Sequence, residues 1–280
     1  MSTEPVVTKA RRRDRVDVLV LVKATPQPST RYGDTVCVAG VVLDDGPPRW
    51  IRLYPVPFRY LAADVQFKKY MKINVALREA RGDLRPESAK IDVESIRCGD
   101  VVIGWKHRAP HVDPLVGPTM CEMLAAVCEN PNAASLGVIR ARRVAPDLEF
   151  AAHAPWAPEQ LAKLTAAAAQ DSLFGATRVR LLEPPRFVVR LRYWCRTESC
   201  GGHLQRIIDW ELTALQGRLR DRSDGAVRQA IQDRFMKQPF LRDTDPLIYV
   251  GNQESPQRRR SFTVLGLYYP QIGEADPGLF

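Results

Sequence analysis

The sequence predicts an α+β fold: an N-terminal small β-barrel-like domain, a helical middle segment, and a C-terminal mixed sheet with helices. Three observations predict it. Short apolar runs separated by Gly/Pro turns fill residues 17–105. Apolar residues fall at helical spacing after Thr119. Strict alternation returns at 186–196. The expected divisions are a basic arm over 1–16, the barrel-like unit over 17–110, a helical connection over 111–175 and a basic α+β unit over 176–280.

Each element has its own reason. Residues 18–22 form an unbroken apolar run, which suits a strand buried on both faces. Pro26 and Pro28 then interrupt it. Residues 36–43 are a second strand, the Asp-Asp-Gly-Pro-Pro cluster at 44–48 a turn, and 50–54 a third strand. Residues 72–77 alternate and give a fourth. Thr119 is placed to cap a helix reaching Asn130, with Met120, Met123, Leu124, Val127 and Cys128 on one face. Pro158 opens a second, Ala-rich helix ending near Asp171. Residues 187–194 read as a strand and 209–220 as a helix, and Asp224 caps a further helix with Val227, Ile231 and Phe235 at i, i+4, i+8. Residues 247–250 and 261–267 close the chain as strands. No internal repeat is visible.

Composition narrows the partners. Of 280 residues, 41 are Lys or Arg and 32 Asp or Glu, a net charge of +9. An apolar share of 45% and a charged share of 26% are those of a globular chain, which excludes collagen-like and disordered classes. The apolar run after the basic start is too short for a secretion signal or a membrane span, so no membrane partner and a cytoplasmic setting are expected. Six cysteines spread over such a chain read as thiols or metal ligands. No glycine-rich nucleotide loop and no nucleophile elbow stands in a supporting context, which argues against a motor, a dinucleotide enzyme and an α/β-hydrolase.

The most informative segment is 186–196. Phe187, Val189, Leu191, Tyr193 and Cys195 fall on one face, while Arg186, Arg190, Arg192, Trp194 and Arg196 fall on the other with Val188. Guanidinium forks suit phosphate oxygens, and bases stack on an indole. Over 177–206 there are seven arginines against two glutamates, with Arg258, Arg259 and Arg260 further on. Such a local excess attracts polyanions. Trp50, Arg52 and Tyr54 form a second aromatic and basic set on one strand face. DNA or RNA is therefore the expected partner. The competing reading is a solvated face whose arginines pair with neighbouring acids.

Cys195-x4-Cys200-x2-His203 supplies three candidate zinc ligands, with Gly201 and Gly202 permitting a tight turn. The fourth is open among Cys37, Cys98, Cys121, Cys128 and Asp209. Asp209 and Glu211 share a face only on a strand, where they could hold Mg²⁺ for a metal-dependent nuclease. On a helix they read instead as cap and first-turn residues, the preferred reading because helical spacing follows. Glu87, near Asp83 and Lys90, is a further acidic candidate but sits in what reads as a Gly/Pro loop. His107 and His111 have helical ligand spacing, yet Pro110 argues against the helix.

Residues 21–29, 35–40, Arg52-Leu-Tyr-Pro-Val-Pro-Phe-Arg59, Arg85-Pro-Glu-Ser88, Ile208-Asp-Trp-Glu-Leu212 and 264–270 together resemble an uncharacterised family of bacterial proteins. The resemblance spans most of the chain and supplies no activity or cofactor. The Trp-Ile-Arg element after a Gly turn is also similar to bacterial oligonucleotide-binding barrels. The resulting expectation is a nucleic-acid-binding protein, within a bacterial defence or mobile-element system. Its rivals are the metal-dependent nuclease and a protein-interaction subunit of a larger complex.

Overall fold

The structure is a computed structural model that describes residues 15–29, 33–79, 82–173 and 181–273. Nearly all of the expected basic arm, and Arg178 and Arg180, lie outside the described residues.

Strands apolar on both sides build the first half. β1 (Arg15–Lys23) pairs with β3 (Gly33–Val42), and β3 with β4 (Trp50–Val56). β5 (Met71–Glu79) pairs with the other edge of β1, and β6 (Ser88–Ile91) joins β5 to β4, running parallel to β4. The ring β1-β3-β4-β6-β5 therefore closes as a five-stranded barrel. β2 (Gln27–Ser29) and β7 (Arg97–Val101) extend it at β3 and β5. Val18, Val20, Val36, Val38, Leu53 and Val75 fill its interior.

The second half is a curled sheet. β8 (Leu136–Val144) lies between β10 (Phe187–Cys195) and β12 (Leu247–Gly251). β9 (Glu149–Ala152) and β11 (His203–Arg206) pair with β10, and β13 (Thr263–Tyr268) pairs with β12. A parallel bridge from Ile207, just past β11, to Val264 of β13 brings the far edges together. The ring order thus repeats that of the barrel. In both halves the first strand lies between the second and fourth, and the third runs parallel to the fifth.

Helices cover the second core. Thr119 caps α2 (Met120–Glu129) through a full capping box with Glu122. α4 (Trp210–Arg218) and α5 (Asp224–Gln232) bury Leu212, Val227 and Ile231, with Phe235 one turn on. Gln216 on α4 accepts from Phe187 N at 2.8 Å and donates to Phe187 O, which fixes the start of β10. α3 (Pro158–Leu173) packs instead across β2 and β3 of the barrel.

Two expectations need correction. The middle segment is not purely helical, because 136–144 is the central strand of the second sheet; its Leu-Gly-Val-Ile start runs into arginines and gives neither period. Residues 88–91 and 97–101 are further strands, which the sequence left unassigned because barrel closure supplies partners that the Gly/Pro-rich stretch does not advertise. A helix does form around Pro110, α1 (Trp105–Val112), a short surface turn that tolerates one missing hydrogen bond.

The two halves meet on a third core. Leu19, Leu21 and Val41 on the outside of the barrel pack against Leu136, Val138, Leu247, Tyr249, Leu265 and Tyr268 of the second sheet. β1 is buried on both faces for that reason, as its unbroken apolar run predicts.

Candidate nucleic-acid interface and metal centre

β10 shows the alternation its sequence dictates. Phe187, Val189, Leu191, Tyr193 and Cys195 are buried, and the residues between them are half-buried. Pairing register decides what else shares the outer face. Arg190 stands opposite Arg206 on β11, Arg192 opposite Leu204, and Trp194 opposite Arg143 on β8. Four guanidiniums, of Arg143, Arg190, Arg192 and Arg206, thus belong to one face. Burial, and then the charge of Arg190, lower the pKa of Arg206. Arg192 meets Glu149 at 3.0 Å, but both side chains are about two-fifths exposed, so water and salt weaken the pair.

The other predicted members sit differently. Arg186 donates to the carbonyls of Arg220 and Arg222 and lies 3.3 Å from Asp224, so it ties β10 to the α4–α5 loop. Arg196 is exposed beyond the end of β10. Trp194 is not a bare platform. The guanidinium of Arg143 stacks over its ring at 3.6 Å, and Gly202, at φ +97°, packs so close that a Cβ there would reach Nε1 at 2.8 Å.

Trp50, Arg52 and Tyr54 do not form an open surface, because the second sheet covers most of that face. Trp50 meets Tyr249 edge-on at 6.0 Å. Arg52, 3% exposed, donates to Ser135 O and Oγ and to Cys37 Sγ. Gly251 permits this approach, since a Cβ there would lie 3.2 Å from Arg52 Nη2 and 2.8 Å from Leu265 Cδ1. Tyr54 alone remains exposed, at the mouth of a cavity between the halves.

The acidic candidates are not brought together. Asp209 caps α4 by accepting from Glu211 N at 2.8 Å and lies 3.7 Å from Lys69 Nζ, deep in the seam. Burial pushes its carboxyl up, against the pull of Lys69. Glu211 faces Arg234 at 3.4 Å. Glu87 accepts from Ser135 N and Oγ, both at 2.8 Å, and so clamps the barrel to the second sheet. Each carboxylate has a structural partner, and a shared Mg²⁺ site would require all three to leave. His107 and His111, though helical, join no metal-ligating group among the described residues.

One such group does assemble. Cys121 on α2, Cys195 at the end of β10, Cys200 in the following turn and His203 at the start of β11 bring their ligand atoms within 4.8 Å of one another. Cys121 Sγ lies 3.5 Å from both Cys195 Sγ and His203 Nε2, and Cys200 Sγ 3.3 Å from His203 Nε2. Zinc–sulfur and zinc–nitrogen bonds of about 2.3 and 2.0 Å in a tetrahedron put ligands about 3.5–3.8 Å apart. The four residues therefore fit a metal ion such as zinc. Burial resists ionisation of Cys195, but hydrogen bonds from Thr197, Cys121 and His203 pull its thiol down. Burial and the neighbouring thiols push Cys121 up. Cys121, one of five open choices in the sequence, is the ligand that only the capped helix could place.

A family model described as "Domain of unknown function (DUF8757)" matches residues 116–280, and one described as "Domain of unknown function (DUF8758)" matches 14–114. No curated protein matches the chain. Among solved structures, a murine DNA-binding protein bound to double-stranded DNA is 8% identical, covering 95% of this chain and 100% of its own, with a TM-score of 0.31. A replication protein A heterotrimer bound to single-stranded DNA is 12% identical, covering 98% of this chain and 53% of its own, with a TM-score of 0.34. A variant of the single-stranded DNA-binding protein from Thermus aquaticus is 12% identical, covering 91% and 93%, with a TM-score of 0.20. Superpositions this loose carry no argument about the ligand. Among the described residues no helix is long and apolar enough to cross a membrane.

Proposed function

We propose, for a chain that belongs to the family described as domain of unknown function DUF8757, that it binds nucleic acid on the outer face of β10 and β11. One observation carries this reading: cross-strand register gathers Arg143, Arg190, Arg192 and Arg206 on a single half-buried face with one acid, Glu149, opposite Arg190. Phosphates supply the counter-charge this face lacks. Bases stack on the Arg143 guanidinium lying over Trp194, since a guanidinium plane serves as a stacking surface.

Zinc belongs in the cluster of Cys121, Cys195, Cys200 and His203. A closed set of four protein ligands leaves no position for substrate, which assigns it to folding and not to catalysis. When bound, zinc supplies the charge that keeps the thiolates ionised. The residues do the rest, since they join α2, β10 and β11.

The test is fluorescence anisotropy of a labelled single-stranded oligonucleotide with wild type and with Arg190→Gln/Arg192→Gln. Weaker, less salt-sensitive binding by a folded variant supports the face. Unchanged affinity refutes it.

A further inference from the structure

A cavity of about 360 Å³ opens between the two halves. It is built from both of them. Thr35, Arg52 and Tyr54 come from the barrel, and Arg206, Asn252 and Arg258 from the second sheet and its loop. Its volume lies within the range of about 300–1,000 Å³ of small-ligand sites.

Its polar groups are left waiting. Asn252 is 4% exposed, and neither the oxygen nor the nitrogen of its amide has a hydrogen-bond partner. Because both amide atoms are unpaired, the conclusion does not depend on which way the amide is turned. Arg52 Nε and Thr35 Oγ1 are also buried without a partner. Folded proteins rarely leave three such groups on one wall, and each calls for an explanation.

The charge is unbalanced too. Four arginines of the lining, Arg52, Arg85, Arg206 and Arg258, stand against one carboxylate, Glu254; Arg85 takes up that one at 4.0 Å as well as Asp83, which it meets at 2.7 Å. Among the described residues no carboxylate pairs with Arg52 or Arg206. Arg258, at the mouth, donates to Gln253.

A ligand that satisfies this wall presents a donor beside an acceptor to Asn252, a flat face to Tyr54 and an anion to Arg206 and Arg258. A nucleobase edge with its phosphate does all three. We infer that the seam cavity is a subsite for a single nucleotide, received either free or as one unit of a bound strand. The strand source rests on the nucleic-acid reading above, because Arg206 belongs both to the cavity wall and to the basic face of β10 and β11. The free source does not.

Calorimetry at low salt tests it, with AMP and ribose 5-phosphate as probes, and anisotropy with a single strand about 15 nucleotides long serves as the second arm. AMP should bind wild type at least about tenfold more tightly than ribose 5-phosphate, and Asn252→Leu should lose at least about tenfold of AMP affinity. Asn252→Leu should also melt no lower than wild type, since it removes a buried amide that has no partner. The Arg190→Gln/Arg192→Gln variant should keep AMP affinity. If AMP gives no saturable heat, or binds Asn252→Leu as well as wild type, the subsite is overturned whether or not the oligonucleotide binds. A lower melting temperature for Asn252→Leu, with AMP affinity unchanged, overturns it in favour of a structural amide. AMP binding without oligonucleotide binding supports the subsite, assigns it to free nucleotides and removes the strand reading alone.

Discussion

Neutralising Arg190 and Arg192 together is the most exacting perturbation of the basic face. The four arginines of that face would displace counterions from up to four phosphates. For a single strand this gives a slope of log K against log salt of about −2.8, or roughly a fiftyfold loss of affinity between 50 and 200 mM. Arg190→Gln/Arg192→Gln leaves Arg143 and Arg206, so the slope should fall to about −1.4 and the loss to roughly sevenfold. The ion pair with Glu149 alters this little, because it is exposed and salt already weakens it. Both side chains point away from the core, so the variant should fold, as circular dichroism and a melt can confirm. Anisotropy titrations at four or more salt concentrations give the slopes. Equal slopes for wild type and a folded variant would refute the assignment of phosphates to this face.

Other predictions follow from the same contacts. Purified protein should carry about one equivalent of zinc by metal analysis, and Cys121→Ser should drop it below about 0.2 equivalents and lower the melting temperature. Asp209→Ala removes a helix cap and strands buried Lys69, so it should cost about 3–5 kcal/mol in urea melts, without any change in nuclease activity to be found. Glu87→Ala leaves Ser135 N unpaired in the seam and the Ser135 hydroxyl with no acceptor, though Arg52 still donates to it, and should cost about 1–3 kcal/mol by the same assay. Burial opposes ionisation of Asp83, but its hydrogen bonds with Arg85 dominate and hold its pKa at about 2, below the ordinary 3.8. Its contribution is therefore complete above about pH 4 and disappears as pH falls through about 2; it amounts to about 2 kcal/mol, and melts of Asp83→Asn should lack that acid loss.

What the sequence made legible was whatever a strand or helix period carries. The alternation from Phe187 to Cys195, the doubly buried run at 18–22 and the cap at Thr119 all stand in the structure as read. The hidden parts depend on partners distant in the chain. Arg52 obeys the alternation rule and shares a face with Tyr54, yet it is buried, because the second half lies over that face. Trp194 is on the predicted side, but Arg143, fifty-one positions earlier, occupies its ring. The repeated ring order left no repeat in the sequence, since ring order is set by which strands pair and not by which residues form them. Glu87 and Asp83 do lie in the loop before β6, as read, but no local pattern records that Glu87 reaches Ser135 of the second half.

The Cys/His cluster and the arginine face are consequences of one hairpin. Cys195 ends β10 and His203 begins β11, and Tyr193 pairs with His203, so the ligands fix where the two strands start to pair. Arg190 faces Arg206 only in that register. Strand side chains have a period of two, so a slip of one residue would carry Arg206 to the core side and Gln205 outward. Gln205 resists this by accepting from Tyr193 Oη at 2.9 Å and donating to Met120 Sδ at 3.2 Å, two neutral hydrogen bonds inside the core, the second to a weak acceptor. Zinc held by the Cys/His cluster would add a second constraint, from α2, at the opposite end of the hairpin from the arginines. Removing Cys200 touches no phosphate-binding group, yet it should weaken oligonucleotide binding by loosening this register. A Cys200→Ser variant that loses zinc and retains the full salt slope of wild type would separate the two sites and leave the metal with only a local role.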